Sequence, residues 1–203
     1  GSAAGAGPLP EPVGAAMVSS CARAALETAL YDLAARRRGV TLAQYLGGTL
    51  HDIPLVATVS MLIPEEMAAQ AVTLFAGGFS PLKIKLGGPP ELDRERLRAI
   101  TGAVGASVPL LLDANQGWSA EDAVTLLTTA STEEINVVAV EQPVQATDFK
   151  GLARVHRETA VPIFADESVR TVSEGEALIK AHACGGFNIK LQKCGVIQSP
   201  LAL

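Results

Sequence analysis

Several things are scarce in this sequence, and each scarcity removes a class of function. Cysteine occurs only at Cys21, Cys184 and Cys194, an odd number with no C-x-x-C pair. That pattern argues for a reduced, cytoplasmic protein with free thiols. Positive charge is in deficit: 16 Lys and Arg against 21 Asp and Glu leave a net charge of −5, so no nucleic-acid partner is expected. The one basic cluster, Arg36-Arg37-Arg38, falls at the end of an expected helix, where cations suit the negative end of the dipole. No uninterrupted apolar run is long enough to span a bilayer, so no membrane partner is expected. The opening GSAAGAGPLPEP lacks the charged start and apolar centre of a signal peptide and reads as a flexible or extended segment. What is plentiful is core material. The 203 residues are 48% hydrophobic and 18% charged, a soluble globular composition.

The spacing predicts a helix over Ser20–Arg38, with Leu26, Ala29, Leu30 and Leu33 as its buried face, Ser20 as its cap and Gly39 as its end. A short second helix is expected near Thr41–Leu46. After Pro54 the texture changes, and short apolar runs alternate with longer amphipathic ones. Strands are expected at Leu55–Met61, Leu82–Leu86, Leu110–Asp113, Val137–Glu141, Ile163–Ala165 and Phe187–Leu191. Helices are expected between them, at Pro64–Ala76, Pro90–Val104, Ala120–Thr129, Asp148–Glu158 and Ser173–His182. Such alternation is α/β and means a parallel sheet with helices outside it. Six strands fit an open doubly wound sheet or part of an eight-stranded barrel. Ionisable residues recur at the ends of strands two to six, as Lys85, Asp113, Glu141, Asp166 and Lys190. An open sheet gathers its site at one switch point. A barrel brings every strand end to one mouth. The expectation is therefore a partial (β/α) barrel.

Three acids carry the first part of the chemistry: Asp113 in LLLDAN, Glu141 in VAVEQP and Asp166 in IFADES. Each stands where an apolar strand gives way to its loop. Converging carboxylates repel, and burial makes that worse. A hard divalent cation removes the conflict, and oxygen-only ligands suit Mg2+, less often Mn2+. The alternative is three unrelated loop acids that cap helices; their recurrence at consecutive strand ends argues against it. Lysines carry the second part. Lys83 and Lys85 are two apart on one strand and so share a face. Lys190 lies on the sixth expected strand, which a barrel would place across the mouth from the second. A substrate held at the acids would then have a lysine on each side. Lys83 would favour a neutral Lys85 by like-charge proximity, giving a usable base. A lone strand-end lysine more often snorkels to water; Lys193, past the strand end, reads as surface charge.

The series KIKLG, LLLDANQGW, VVAVEQPV, IFADESV and NIKLQKCG, in this order, resembles the muconate-lactonising branch of the enolase superfamily. Within that branch it is most similar to the dipeptide epimerases, of which L-Ala-D/L-Glu epimerase is one; TVSMLIPEEM and the NQGW after Asp113 also look like that group. The resemblance runs from about Ala24 to Ile197. It implies that Asp113, Glu141 and Asp166 hold Mg2+ and that Lys85 and Lys190 are the acid/base pair. It implies further that Lys83 adds positive charge, and that Asn115 and Glu167 orient the site from behind. The implied reaction is a 1,1-proton transfer at the α-carbon of a dipeptide or related carboxylate through an enediolate. Residues 1–52 would comprise a flexible N-terminal segment and the C-terminal, helical part of an α+β capping domain, with residues 53–203 an incomplete barrel.

This sequence departs from the pattern at Gly195-Val196, where family members usually carry a second glycine. By that resemblance, most of the capping domain and strands seven and eight, with the acidic pair expected to hold a dipeptide's amino group, are expected to lie outside this sequence. The same site would serve an o-succinylbenzoate synthase, an N-acylamino-acid racemase or a muconate cycloisomerase. A truncated, non-catalytic barrel fragment is the alternative from another class. The open sheet edges are expected to seek a partner, making a homo-oligomer, and to leave Leu55, Val59, Ile84 and Ile189 close to water.

Overall fold

The computed structural model describes residues 19–49 and 52–195, so the opening segment lies outside the described residues. The chain divides into two units. One takes in residues 1–54, 170–172 and 189–203; the other takes in residues 55–169 and 173–188.

In the first unit, α1 (Ser20–Arg37) is followed by α2 (Leu42–Tyr45), which starts with a reciprocal capping box between Thr41 and Gln44. Two expectations for α1 need correction. Ser19 occupies the cap position, with no side-chain hydrogen bond, and Ser20 is already helical. The buried face is Ala24, Glu27, Tyr31 and Ala35, whereas Leu26 and Leu33 are 43% and 45% exposed. Both faces follow the helical repeat, about 100° apart for neighbours in sequence. Tyr31 decides between them. Its ring packs edge-on against Tyr45 with centroids 6.2 Å apart, and Ala35 gives the pair room.

The second unit is a sheet with helices between successive strands. Its strands are β1 (Ala57–Val59), β2 (Leu82–Lys85), β3 (Leu110–Asp113), β4 (Val137–Glu141), β5 (Ile163–Ala165) and β6 (Gly186–Phe187). All neighbours are parallel, and the order across the sheet is the order in sequence, β1 to β6. A doubly wound sheet would reverse direction at a switch point. An unbroken sequential order is that of a (β/α) barrel, here a partial one. The intervening helices are α3 (Pro64–Ala76), α4 (Pro90–Val104), α5 (Ala120–Thr132), α6 (Phe149–Glu158) and α7 (Val172–Lys180). Their starts follow local chemistry. Pro64 opens α3 with Glu65 and Glu66 in its first turn. Ser119 and Asp148 cap α5 and α6 by accepting from the backbone N–H of Asp122 and Gly151.

Period-two alternation is clear on β2 and β5. On β2, Leu82 and Ile84 are fully buried while Lys83 and Lys85 face the other way. Ile84 and Val59 are therefore not close to water, contrary to expectation: both are fully buried on the face that α3 covers. Leu55 and Ile189 are exposed as expected. The sixth strand is shorter and earlier than the sequence implies, and Lys190 lies beyond it. After the Asn188 N–H donates to the Ala165 carbonyl, the chain leaves the sheet. Lys190 is instead the extended residue before α8 (Leu191–Cys194), its carbonyl accepting from the N–H groups of Lys193 and Cys194.

Candidate active site

Strand pairing puts Lys85, Asp113 and Glu141 in one row across the ends of β2, β3 and β4. Lys83, paired with Leu111, lies one layer deeper on the same face. From there its Nζ reaches up to Asp113 Oδ2 at 2.8 Å and to Glu141 Oε2 at 2.6 Å. Lys85 Nζ meets the same Asp113 oxygen at 2.7 Å and also donates to Asn115 Oδ1. Asn115 Nδ2 donates onward to Glu167 Oε1 at 3.2 Å. One hydrogen-bonded array thus joins Lys83, Lys85, Asp113, Asn115, Glu141 and Glu167. Asp166 follows β5 directly and is buried; its N–H donates to Gln142 Oε1 at 2.8 Å. Lys190 belongs to the first unit.

The acids are deeply placed: Asp113, Glu141 and Asp166 are 0%, 5% and 1% exposed. Burial opposes charge on Lys83, but its bonds to Asp113 and Glu141 outweigh that and raise its pKa above the ordinary 10.5. Burial likewise works to raise the Asp113 pKa, and the two lysines outweigh it, holding the carboxyl below the ordinary 3.8. Among the described residues, no group of three or more acidic, histidine or cysteine side chains is arranged to hold a metal ion as it stands. The chemistry of the donor set, as distinct from its spacing, is that of a hard dication's ligands. The set is three oxygen-donor carboxylates on consecutive strand ends, and the positive charge they require is supplied to two of them by lysine.

Two contributors escaped the sequence reading. Asn188 Nδ2 donates to Glu141 Oε1 from just past β6. Its position two residues before Lys190 was a usable signal, since extended chain repeats every second residue. Gln142 is fully buried with φ +40, and its side chain ties two loops together. Its Oε1 accepts from the N–H groups of Asp166 and Ser168, and its Nε2 donates to Ser168 Oγ and the Val144 carbonyl. Nothing short of the fold reveals that role. Beneath the row lies a cavity of about 360 Å3 lined by Lys83, Leu111, Ala139, Glu141, Phe164 and Phe187. Its size and its mixture of apolar walls with few charges are those of a small-molecule site.

Comparison with known proteins bears on the family and the fold. The chain is 42% identical over 184 residues to the D-Ala-D/L-Ala epimerase of Cytophaga hutchinsonii, covering 90% of this chain and 50% of that protein. A crystal structure of the dipeptide epimerase from the same organism, complexed with Mg and the dipeptide D-Ala-L-Val, superposes with a TM-score of 0.86 at 42% identity, over 91% of this chain and 50% of that one. The substrate-liganded L-Ala-D/L-Glu epimerase of Bacillus subtilis gives a TM-score of 0.86 at 41% identity, over 89% of this chain and 51% of that one. The chain thus spans about half the length of the relatives it matches. The model of the enolase C-terminal domain-like family matches residues 66–202, and the chain belongs to that family.

Proposed function

We propose that this chain carries the catalytic half of a Mg2+-dependent epimerase that moves the α-proton of a dipeptide. One observation supports this most: a strand-end lysine, Lys85, stands in the same row as two strand-end carboxylates, Asp113 and Glu141. That is an amine for proton transfer beside anionic ligands for a substrate-binding cation. Asp113, Glu141 and Asp166 would hold the Mg2+, which when bound supplies Lewis-acid stabilisation of charge developing on the substrate carboxylate. The rest is this chain's own work. Lys85 takes or returns the α-proton on one face, and Lys190 serves the other. Lys83 keeps positive charge beside the acids. Asn115 fixes the Lys85 amine, and Glu167 fixes Asn115. The helical segment at residues 20–45 reads as the end of a capping domain.

The test is α-proton exchange in deuterated water, followed by proton NMR over a dipeptide library with the full gene product. Wild type should exchange both epimers of its substrate. Lys85→Ala should lose exchange from one epimer and Lys190→Ala from the other, each by about 100-fold or more. Equal residual exchange of both epimers in each variant would sink the two-base assignment. Absence of exchange in wild type with every dipeptide would sink the activity.

A further inference from the structure

Asp93 lies in the first turn of α4 and is 0% exposed. A carboxylate so deeply buried needs partners, and it has three N–H donors. The Gly87 backbone N–H and Trp118 Nε1 both donate to Oδ2, at 2.9 and 2.8 Å. Arg96 Nη1 donates to Oδ1 at 2.7 Å, and its Nε donates to the Leu62 carbonyl at 2.8 Å. One acid and its arginine therefore tie together the loops that follow β1, β2 and β3. Two of those loops are in backbone contact. Gly87 has φ +110, and a Cβ there would collide with the Ala114 carbonyl; a Cβ on Gly117 would collide with the Gly87 backbone. The loops that meet here carry the site residues. Lys85 stands two positions before Gly87, and Asn115 three before Trp118, and these two side chains bond to each other.

We propose that Asp93 is a positioning residue for the strand-end site, its carboxylate fixing the loops that set Lys85 against Asn115. The division of labour between its oxygens carries the inference. If Asp93 served only as counter-ion to Arg96, Oδ1 would suffice. Oδ2 instead takes the loop donors, one from the second βα loop and one from the third. A carboxylate is also required where it stands. With donors on both oxygens, an asparagine would point its amide N–H groups at another donor whichever way it turned. The functional consequence rests on the epimerase reading above; the holding of the loops does not.

The experiment compares two double variants of the full gene product, Asp93→Asn with Arg96→Met and Asp93→Ala with Arg96→Met. Both lack the buried ion pair, and the methionine removes the donor that an asparagine amide would face. They differ in one carbonyl aimed at Gly87 and Trp118. Hydrogen exchange should be slow at residues 86–88 and 115–118 in the asparagine pair and about tenfold or more faster in the alanine pair, with β4 and α5 alike in both. On a dipeptide that wild type exchanges, kcat should be lower in the alanine pair by about tenfold while KM stays within about twofold. Equal loop exchange in the two pairs, or equal kcat, overturns the proposal. If wild type exchanges no dipeptide, the epimerase reading fails, and the loop measurement alone decides whether Asp93 holds the loops.

Discussion

Lys83 is two residues deeper than Lys85 on one face of β2, and two buried carboxylates hold its amine. Its pKa is raised and that of Asp113 lowered, so each stabilises the other's charge. Truncating one partner strands the rest. Lys83→Met should destabilise the fold by about 3 kcal/mol, because Asp113 and Glu141 stay buried with less compensation. A dication bound by those acids would replace the missing charge. Excess Mg2+ should therefore raise the urea midpoint of Lys83→Met more than that of wild type, where the lysine competes for the same oxygens. No response to Mg2+ in either protein would remove the metal from the proposed function. At this scale the sequence was informative where strand periodicity applied, and in the loops only through the motif resemblance that named Asn115 and Glu167. The K-x-K spacing put both lysines on one face, as the structure has them. Gln142 and Asp93 act through loops, whose contacts follow no sequence period.

Helix positions show the same divide. β3, β4 and β5 and the helices α3 and α4 fall at the residues expected, since each is bounded by proline, glycine or a charge at its end. β6 does not, because only its first residues pair with β5 before the chain turns into α8. The buried face of α1 follows Tyr31 and its contact with Tyr45, which a count of leucines does not register. An ionic contact joins α4 and the end of α5. Glu133, the residue that ends α5, accepts from Arg94 and Arg98 of α4 at 2.7–2.9 Å. Their bonds hold its carboxyl at about 2, against an ordinary 4.5. A depressed acid contributes stability above its unfolded pKa and loses it as pH falls through the folded one. Wild type should thus lose stability more steeply than Glu133→Gln between pH 4.5 and about 2, measured as urea midpoints across that window. Parallel curves for the two proteins would show that the arginines do not favour the ionised form.

Across the whole sheet, β1 and β6 each have one neighbour among the described residues. Single-paired strands offer their free edge to another chain, and Leu55 and Val56 stand exposed just before β1. The 203-residue chain alone is therefore expected to associate as its concentration rises, which sedimentation velocity would measure. A monomer at every concentration would show that the edges are protected. The β2, β3 and β4 units each deliver a polar residue to the same row, which invites recombination between relatives. The ties of Asp93 and Arg96 to Leu62, Gly87 and Trp118, and of Glu133 to Arg94 and Arg98, limit where parents can be joined. A crossover inside Leu62–Glu133 sets side chains of one parent against loops of the other. One placed between Glu133 and Val137 separates no member of either group, so the stretch from Leu62 to Glu133 is inherited best as a single block.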